Sequence, residues 1–242
     1  MPAIRTVEPQ RSRGWLRAGW DDVSQASSVS LSYGGWVVFA CFLLLFGVIR
    51  AGYLSLVFPV LAGLILAAPF LMVGCYPISL CFERKQPATL EAVTEMVRLR
   101  GRALGVLGGL TAVVFVVWIW GSLALYALHF SGAEAILRGA SWSVLTSFFV
   151  SELVFGWILY MGIFALTAIS LPFLVERGGD WREAVAVSWA VVRRNPWTMT
   201  VWGAWVAMFV MSGVLTAVFG LAMALPLVGY ASWRAYRDLV GP

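Results

Sequence analysis

The sequence predicts an all-α, polytopic helical membrane protein: six transmembrane helices with two short cytoplasmic amphipathic interfacial helices. Three observations predict it. Of the 242 residues, 61% are apolar and only 12% are charged, against roughly 45–50% and 25% in soluble domains. The apolar residues gather in runs of about 20, the length that crosses a hydrocarbon core of about 30 Å. The basic residues fall unevenly between those runs, as positive-inside sorting requires. The short alternating segments of a β-barrel are not visible.

Residues 1–32 form a polar arm with no apolar core, so the first span is expected to serve as an uncleaved anchor. Within the arm, GWLRAGWDDV puts Trp15, Leu16, Trp20 and Val23 near one helical face, the pattern of an interfacial segment. Residues 33–238 make the membrane domain. Its spans are expected at 35–53, 55–80, 103–128, 145–174, 197–217 and 219–235. Only IRAGYLS joins the first two, which predicts a tight hairpin; the last two break near Gly220. Pro59, Pro69, Pro77, Pro172 and Pro226 are expected to kink the spans that hold them.

Between spans two and three, and again between four and five, lies a charged amphipathic passage. The first, 89–101, has an apolar stripe of Leu90, Val93 and Val97, with Glu95 and Arg98 placed for an i,i+3 pair. The second, 181–194, follows a capping-box spacing of Asp180 and Glu183 and ends before Pro196. Its stripe is Trp181, Val185, Trp189 and Val192, flanked by Arg182, Arg193 and Arg194. Both passages follow Glu-Arg (Glu83-Arg84 and Glu176-Arg177) and both contain Glu-Ala-Val. Aligning them pairs span two with four and three with five, as in a parallel internal repeat. Such helices are expected to lie at the lipid surface, packing against the bundle and holding the loops down; the alternative is a surface that docks a partner through Trp15, Trp20, Trp181, Trp189, Arg193 and Arg194.

Six spans put both termini on one side. That side takes fifteen of the 17 Lys and Arg residues, leaving Arg50 and Arg138 opposite. Both termini are therefore expected in the cytoplasm, and the net charge of +5 belongs to a membrane face rather than to nucleic-acid binding. Cys41, Cys75 and Cys81 sit in apolar runs without a CxxC pair and read as small packing residues.

Three passages resemble a family of predicted bacterial integral membrane proteins catalogued as a domain of unknown function. They are GWLRAGWDDV with SLSYGG, LPFLVERGGDWREAVAVSWAVVRRNPWTMTVWG, and PLVGYASWRAYRDLV. The last is similar to a family signature close to PxxGHATWHAYRDLV. The resemblance implies a bacterial inner-membrane protein of six spans and implies no activity. Tyr230 and Arg234 stand where that signature has histidines. A metal or haem bound there by relatives could not be bound here, and both side chains suit a membrane boundary.

Chemistry-bearing residues are few. His129 is the one histidine, just beyond span three. No Ser-His-Asp set, zinc motif, P-loop or dinucleotide fingerprint is present, so neither an enzyme, a cofactor nor a metal site is expected. Glu152 is the one acid inside an apolar stretch, and intramembrane acids mark functional sites by default. The stretch 142–175 exceeds one span, however, so Glu152 is expected at the periplasmic interface, meeting water or pairing with Arg50 or Arg138. The leading functional expectation is a non-catalytic accessory subunit, assembly factor or scaffold of a larger inner-membrane complex, with the bilayer and other subunits as partners. The alternative is a small transporter or channel using Glu152. A lipid-acting enzyme would need acids or histidines at one depth, and none assemble.

Overall fold

Backbone groups in hydrocarbon must bond within their own segment, so long apolar runs fold as helices. The computed structural model describes residues 2–87, 90–130 and 141–241, and all its regular elements are helical. They are α1 (Arg11–Gln25), α2 (Ser27–Arg50), α3 (Val57–Leu71), α4 (Cys75–Glu83), α5 (Leu90–Leu99) and α6 (Gly101–Phe130), followed by α7 (Trp142–Thr167), α8 (Ser170–Arg177), α9 (Trp181–Arg194), α10 (Pro196–Leu215) and α11 (Leu221–Leu239). Among the described residues, five stretches are long and apolar enough to cross a membrane: Ser27–Arg50, Pro59–Glu83, Gly101–Phe130, Trp142–Arg177 and Pro196–Leu215.

The sixth expected span, 219–235, is α11, and it is not among those five. Its final turns carry Arg234 and Arg237, which leaves an apolar run of about 13 residues, roughly 20 Å. Nearly all of α11 is buried by protein. α1, α2, α4 and α10 pack around it, so it needs no lipid-facing apolar surface of its own.

The N-terminal arm also differs from a segment lying flat on lipid. α1 runs along α11 and turns Ser12, Trp15, Gly19, Asp22 and Val23 inward. A Cβ on Gly19 would lie 2.7 Å from the Leu227 carbonyl oxygen, so only glycine permits this approach. The first residues are stitched to the last. Arg5 N–H donates to the Leu239 carbonyl at 2.9 Å, and Gly241 N–H donates to that of Ala3 at 2.9 Å. Asn195 accepts from Val7 N–H at 2.9 Å and donates to the Arg5 carbonyl at 3.0 Å. Both ends of the chain therefore meet on one face, the face that also holds Arg177, Arg193 and Arg194.

The same order of elements occurs twice: a long apolar helix, a break, a short helix ending in Glu-Arg, an amphipathic helix, then another span. In the first pass these are α3 to α6, in the second α7 to α10. The breaks fall at 72–74 and 168–169, just before Pro77 and Pro172, which cannot continue the preceding hydrogen-bond ladder. In the second break Ser188 Oγ donates to the Ala165 carbonyl at 2.7 Å and accepts from Ile169 N–H at 3.4 Å. One side chain thus supplies partners that the interrupted helix lost.

The capping signals act in part as the sequence suggests. Asp180 caps α9, accepting from Arg182 N–H at 3.3 Å, without the reciprocal Glu183 bond of a capping box among the described residues, and Pro196 opens α10. Glu95 and Arg98 pair at 3.1 Å on the exposed side of α5. The side chains of Leu90 and Val93 lie outside the described residues.

Candidate functional site

Glu152 lies on a helical stripe with Gly156, Tyr160 and Ile163, at i, i+4, i+8 and i+11. That stripe faces the bundle. α6 and α7 close on each other because both carry glycine at the contact. Gly156 sits under Trp118, where a Cβ would come within 2.8 Å of the indole, and Gly121 sits under Phe155. Trp118 stacks on Phe155 with ring centroids 5.9 Å apart. Glu152 is consequently buried, with 5% of its surface exposed, and accepts a hydrogen bond from Ser122 Oγ at 3.0 Å. Its other oxygen, Oε1, has no hydrogen-bond partner among the described residues.

This differs from the expected interfacial carboxylate. Arg50, at the end of α2, is exposed and makes no ion pair with Glu152. Arg138 lies outside the described residues. The length argument fares better than the partner argument. Glu152 is 25 residues before Arg177, about 37 Å along a helix, so it stands near the far end of a 30 Å core. There it is covered sideways by α6, which periodicity could not reveal because α7 is apolar on every face.

From Glu152 a cavity of about 380 Å³ runs inward between four helices. Ile65 and Leu66 of α3, Trp118 of α6, and Ala207, Met208 and Met211 of α10 line it opposite Phe149, Leu153, Gly156, Trp157 and Tyr160 of α7. Tyr160 closes the inner end, its hydroxyl donating to the Gly203 carbonyl at 2.8 Å. Leu153, Met208 and Met211 are exposed, so the cavity opens sideways toward the lipid phase. It is an apolar, aromatic groove with one carboxylate.

His129 is not part of it. Its Nδ1 bonds the Leu125 carbonyl at 2.8 Å and its Nε2 meets Ser147 Oγ at 3.0 Å. A carbonyl only accepts, so Nδ1 carries a proton and donates to Leu125. The ring ties the far end of α6 to the start of α7. Among the described residues no three His, Cys, Asp or Glu side chains gather to hold a metal.

The residues expected to dock a partner divide. Trp15 is buried, edge-on to Trp202 at 5.4 Å, and its indole N–H donates to Asp238 at 2.7 Å. It is a core residue, because α1 docks on protein rather than lipid. Trp20 and Trp189 are exposed. Trp181 is half-buried beneath the Arg182 guanidinium. Arg193 is exposed, and Arg194, also exposed, reaches Thr6 Oγ1 at 3.1 Å. α9 buries Ala184, Val187, Ser188 and Val191 against the bundle, which leaves the tryptophan face outward.

The sequence reading missed a second cluster, at the face where the termini meet. Arg237 bonds both repeated glutamates, Glu83 and Glu176. Trp233 donates to Glu83 at 2.8 Å, Tyr236 to Glu176, and Arg234 to Asp22 at 2.7 and 3.0 Å. Asp238 accepts from Arg11 and Trp15. Burial, together with the hydrogen bond to Glu176 and its charge, pushes the Tyr236 phenol up and keeps it a donor. Tyr230 and Arg234, expected at a lipid boundary, lie inside this region instead. Tyr230 is fully buried with its hydroxyl 2.8 Å from that of Ser30, and Arg234 is clamped to Asp22.

Long apolar helices around a protein-buried helix, with a carboxylate in a lateral groove, define a polytopic helical membrane protein. Residues 57–176, about half the chain, match the family described as predicted integral membrane protein (DUF2189), and by that match the chain belongs to it. The matched stretch runs from the start of α3 to the second repeated glutamate, so most of the three passages noted above lie beyond it. No curated protein and no solved structure matches.

Proposed function

We propose that this protein is a small, non-catalytic transporter of a bacterial inner membrane that draws apolar cations from the lipid phase into the groove beside Glu152. The observation that carries this reading is Oε1 of Glu152, buried and without a hydrogen-bond partner among the described residues. A carboxylate oxygen so placed favours a ligand that brings positive charge or a donor. The walls supply the rest: Trp118, Phe149, Trp157 and Tyr160 offer ring faces that attract cations. Pairing of residues 3–5 with 239–241 supports α11 as a sixth crossing shielded by protein. The arginine excess on that face supports cytoplasmic termini.

Tetraphenylphosphonium is a suitable probe. It should bind the detergent-purified chain, and Glu152→Gln should weaken binding at least about tenfold, the loss expected for one charge-assisted contact. Ser122→Ala should have a smaller effect, since it removes only the partner of the other oxygen. Equal binding by wild type and Glu152→Gln, with no uptake into proteoliposomes, would remove the basis of this reading.

A second reading, an accessory subunit or scaffold in a larger inner-membrane complex, draws on the outward tryptophans. Trp189 and Trp197 are exposed on either side of Arg193 and Arg194 in sequence, and Trp20 is exposed on α1; exposed aromatics and arginines are enriched at interfaces. Purification from native membrane in mild detergent should then recover a reproducible partner, lost with Trp189→Glu. Recovery of the lone chain would leave the transporter.

A further inference from the structure

We infer that the groove between the first turns of α6 and α9 holds the phosphate headgroup of an anionic phospholipid. Arg100 and Arg102 from one side and Arg182 from the other line a cavity of about 470 Å³. α6 begins at Gly101 and α9 at Trp181, so two helix N-termini flank the same space, each carrying positive partial charge. Arg100 is held in place: its Nε donates to the Leu174 carbonyl at 3.1 Å. Its guanidinium lies against Gly178, where a Cβ would come within 2.8 Å. Arg182 rests over the Trp181 ring, 5.3 Å from its centroid. Arg102 is exposed and makes no ion pair among the described residues. Asp180 lines the cavity with its carboxylate capping α9, Glu183 stands beside Gly179 at its edge, and three guanidinium groups outnumber the two acids.

What singles out a lipid over a free phosphate is the continuation. Ala103 and Val106 line the same cavity, and Leu110 and Val113 follow at helical spacing, exposed along α6. An acyl chain attached to the bound phosphate has an apolar track leading from the arginines into the membrane. The headgroup chemistry fits guanidinium, which takes phosphate oxygens in pairs.

Native mass spectrometry of the full chain in detergent tests this with phosphatidylglycerol, phosphatidylcholine and inorganic phosphate. Phosphatidylglycerol should be retained in preference to phosphatidylcholine. The double variant Arg102→Gln/Arg182→Gln should lose that retention roughly thirtyfold, as two surface arginines are expected to contribute. Arg102→Lys/Arg182→Lys should keep part of it, the charge without the paired contacts. If the double variant does not fold, Arg102→Gln alone should lose about fivefold. Equal retention of the two lipids overturns the inference, as does retention unchanged by the glutamine variants. Competition by inorganic phosphate at the same concentration as the lipid would overturn it too, since a soluble anion would then be the ligand.

Discussion

Arg237→Ala should lower the stability of the folded chain by about 2–4 kcal/mol, a cost set by the carboxylates it leaves behind. Arg237 bonds Glu83 and Glu176 together. Their side chains are only 23% and 15% exposed. Removing one partner of a buried pair typically costs 3–5 kcal/mol; partial access to water, and the weaker pairs Glu83–Arg234 at 3.8 Å and Glu176–Arg177 at 3.7 Å that remain, reduce that. In a chain of this size the midpoint of thermal unfolding should fall by roughly 5–12 °C. Arg237→Lys should recover only part, because one ammonium lacks the planar fork that spans two carboxylates. The readout is thermal unfolding in mild detergent, with α11 accessibility to protease alongside. A midpoint within a degree of wild type would show that the glutamates do not depend on Arg237.

The Arg237 cluster gives a physical reason for the twice-used Glu-Arg. Each repeat-like half ends its short helix in a glutamate, and both glutamates end on one guanidinium of α11. The clustered C-terminal run Trp233, Arg234, Tyr236, Arg237 and Asp238 is accounted for by the same contacts. Each side chain meets a carboxylate or donor from α1, α4 or α8. None of this needs a ligand; it is a clasp that joins both halves and both termini.

The helices were legible in the sequence because hydrocarbon forces apolar runs of that length to be helical. The ends of α9 and α10 were legible because Asp180 and Pro196 act locally. Partners were not. Trp15, Leu16, Trp20 and Val23 read as a lipid-facing stripe, but periodicity states that a face is apolar and not what covers it; α11 covers Trp15. α11 itself read as an ordinary span, because Arg234 and Arg237 find their acids 61 to 212 residues away in sequence. Glu152 stood out as the acid within an apolar stretch, but its burial did not. Its burial depended on Gly121 and Gly156 letting α6 close over it, a contact between helices that are each apolar all round.

The same dependence on glycine predicts a sharp contrast between adjacent residues in α2. A Cβ on Gly34 would lie 2.1 Å from the Ala222 carbonyl oxygen and 2.7 Å from its Cα. Those atoms are backbone of α11's first turn, so neither can rotate away, and the helices must separate. Gly34→Leu should therefore cost about 3 kcal/mol, at the upper end for overpacking a tight contact. It should also pull Ser30 from Tyr230, whose hydroxyls stand 2.8 Å apart one turn earlier. Gly35 has nothing within 4 Å of its would-be Cβ. Gly35→Ala should be neutral or stabilising by up to about 1 kcal/mol, because alanine is the better helix former. Expression level and thermal unfolding of the two variants in one detergent measure the contrast. If both behave alike, α2 is not held to α11 through Gly34, and the packing of the N-terminal half of α2 has to be redrawn.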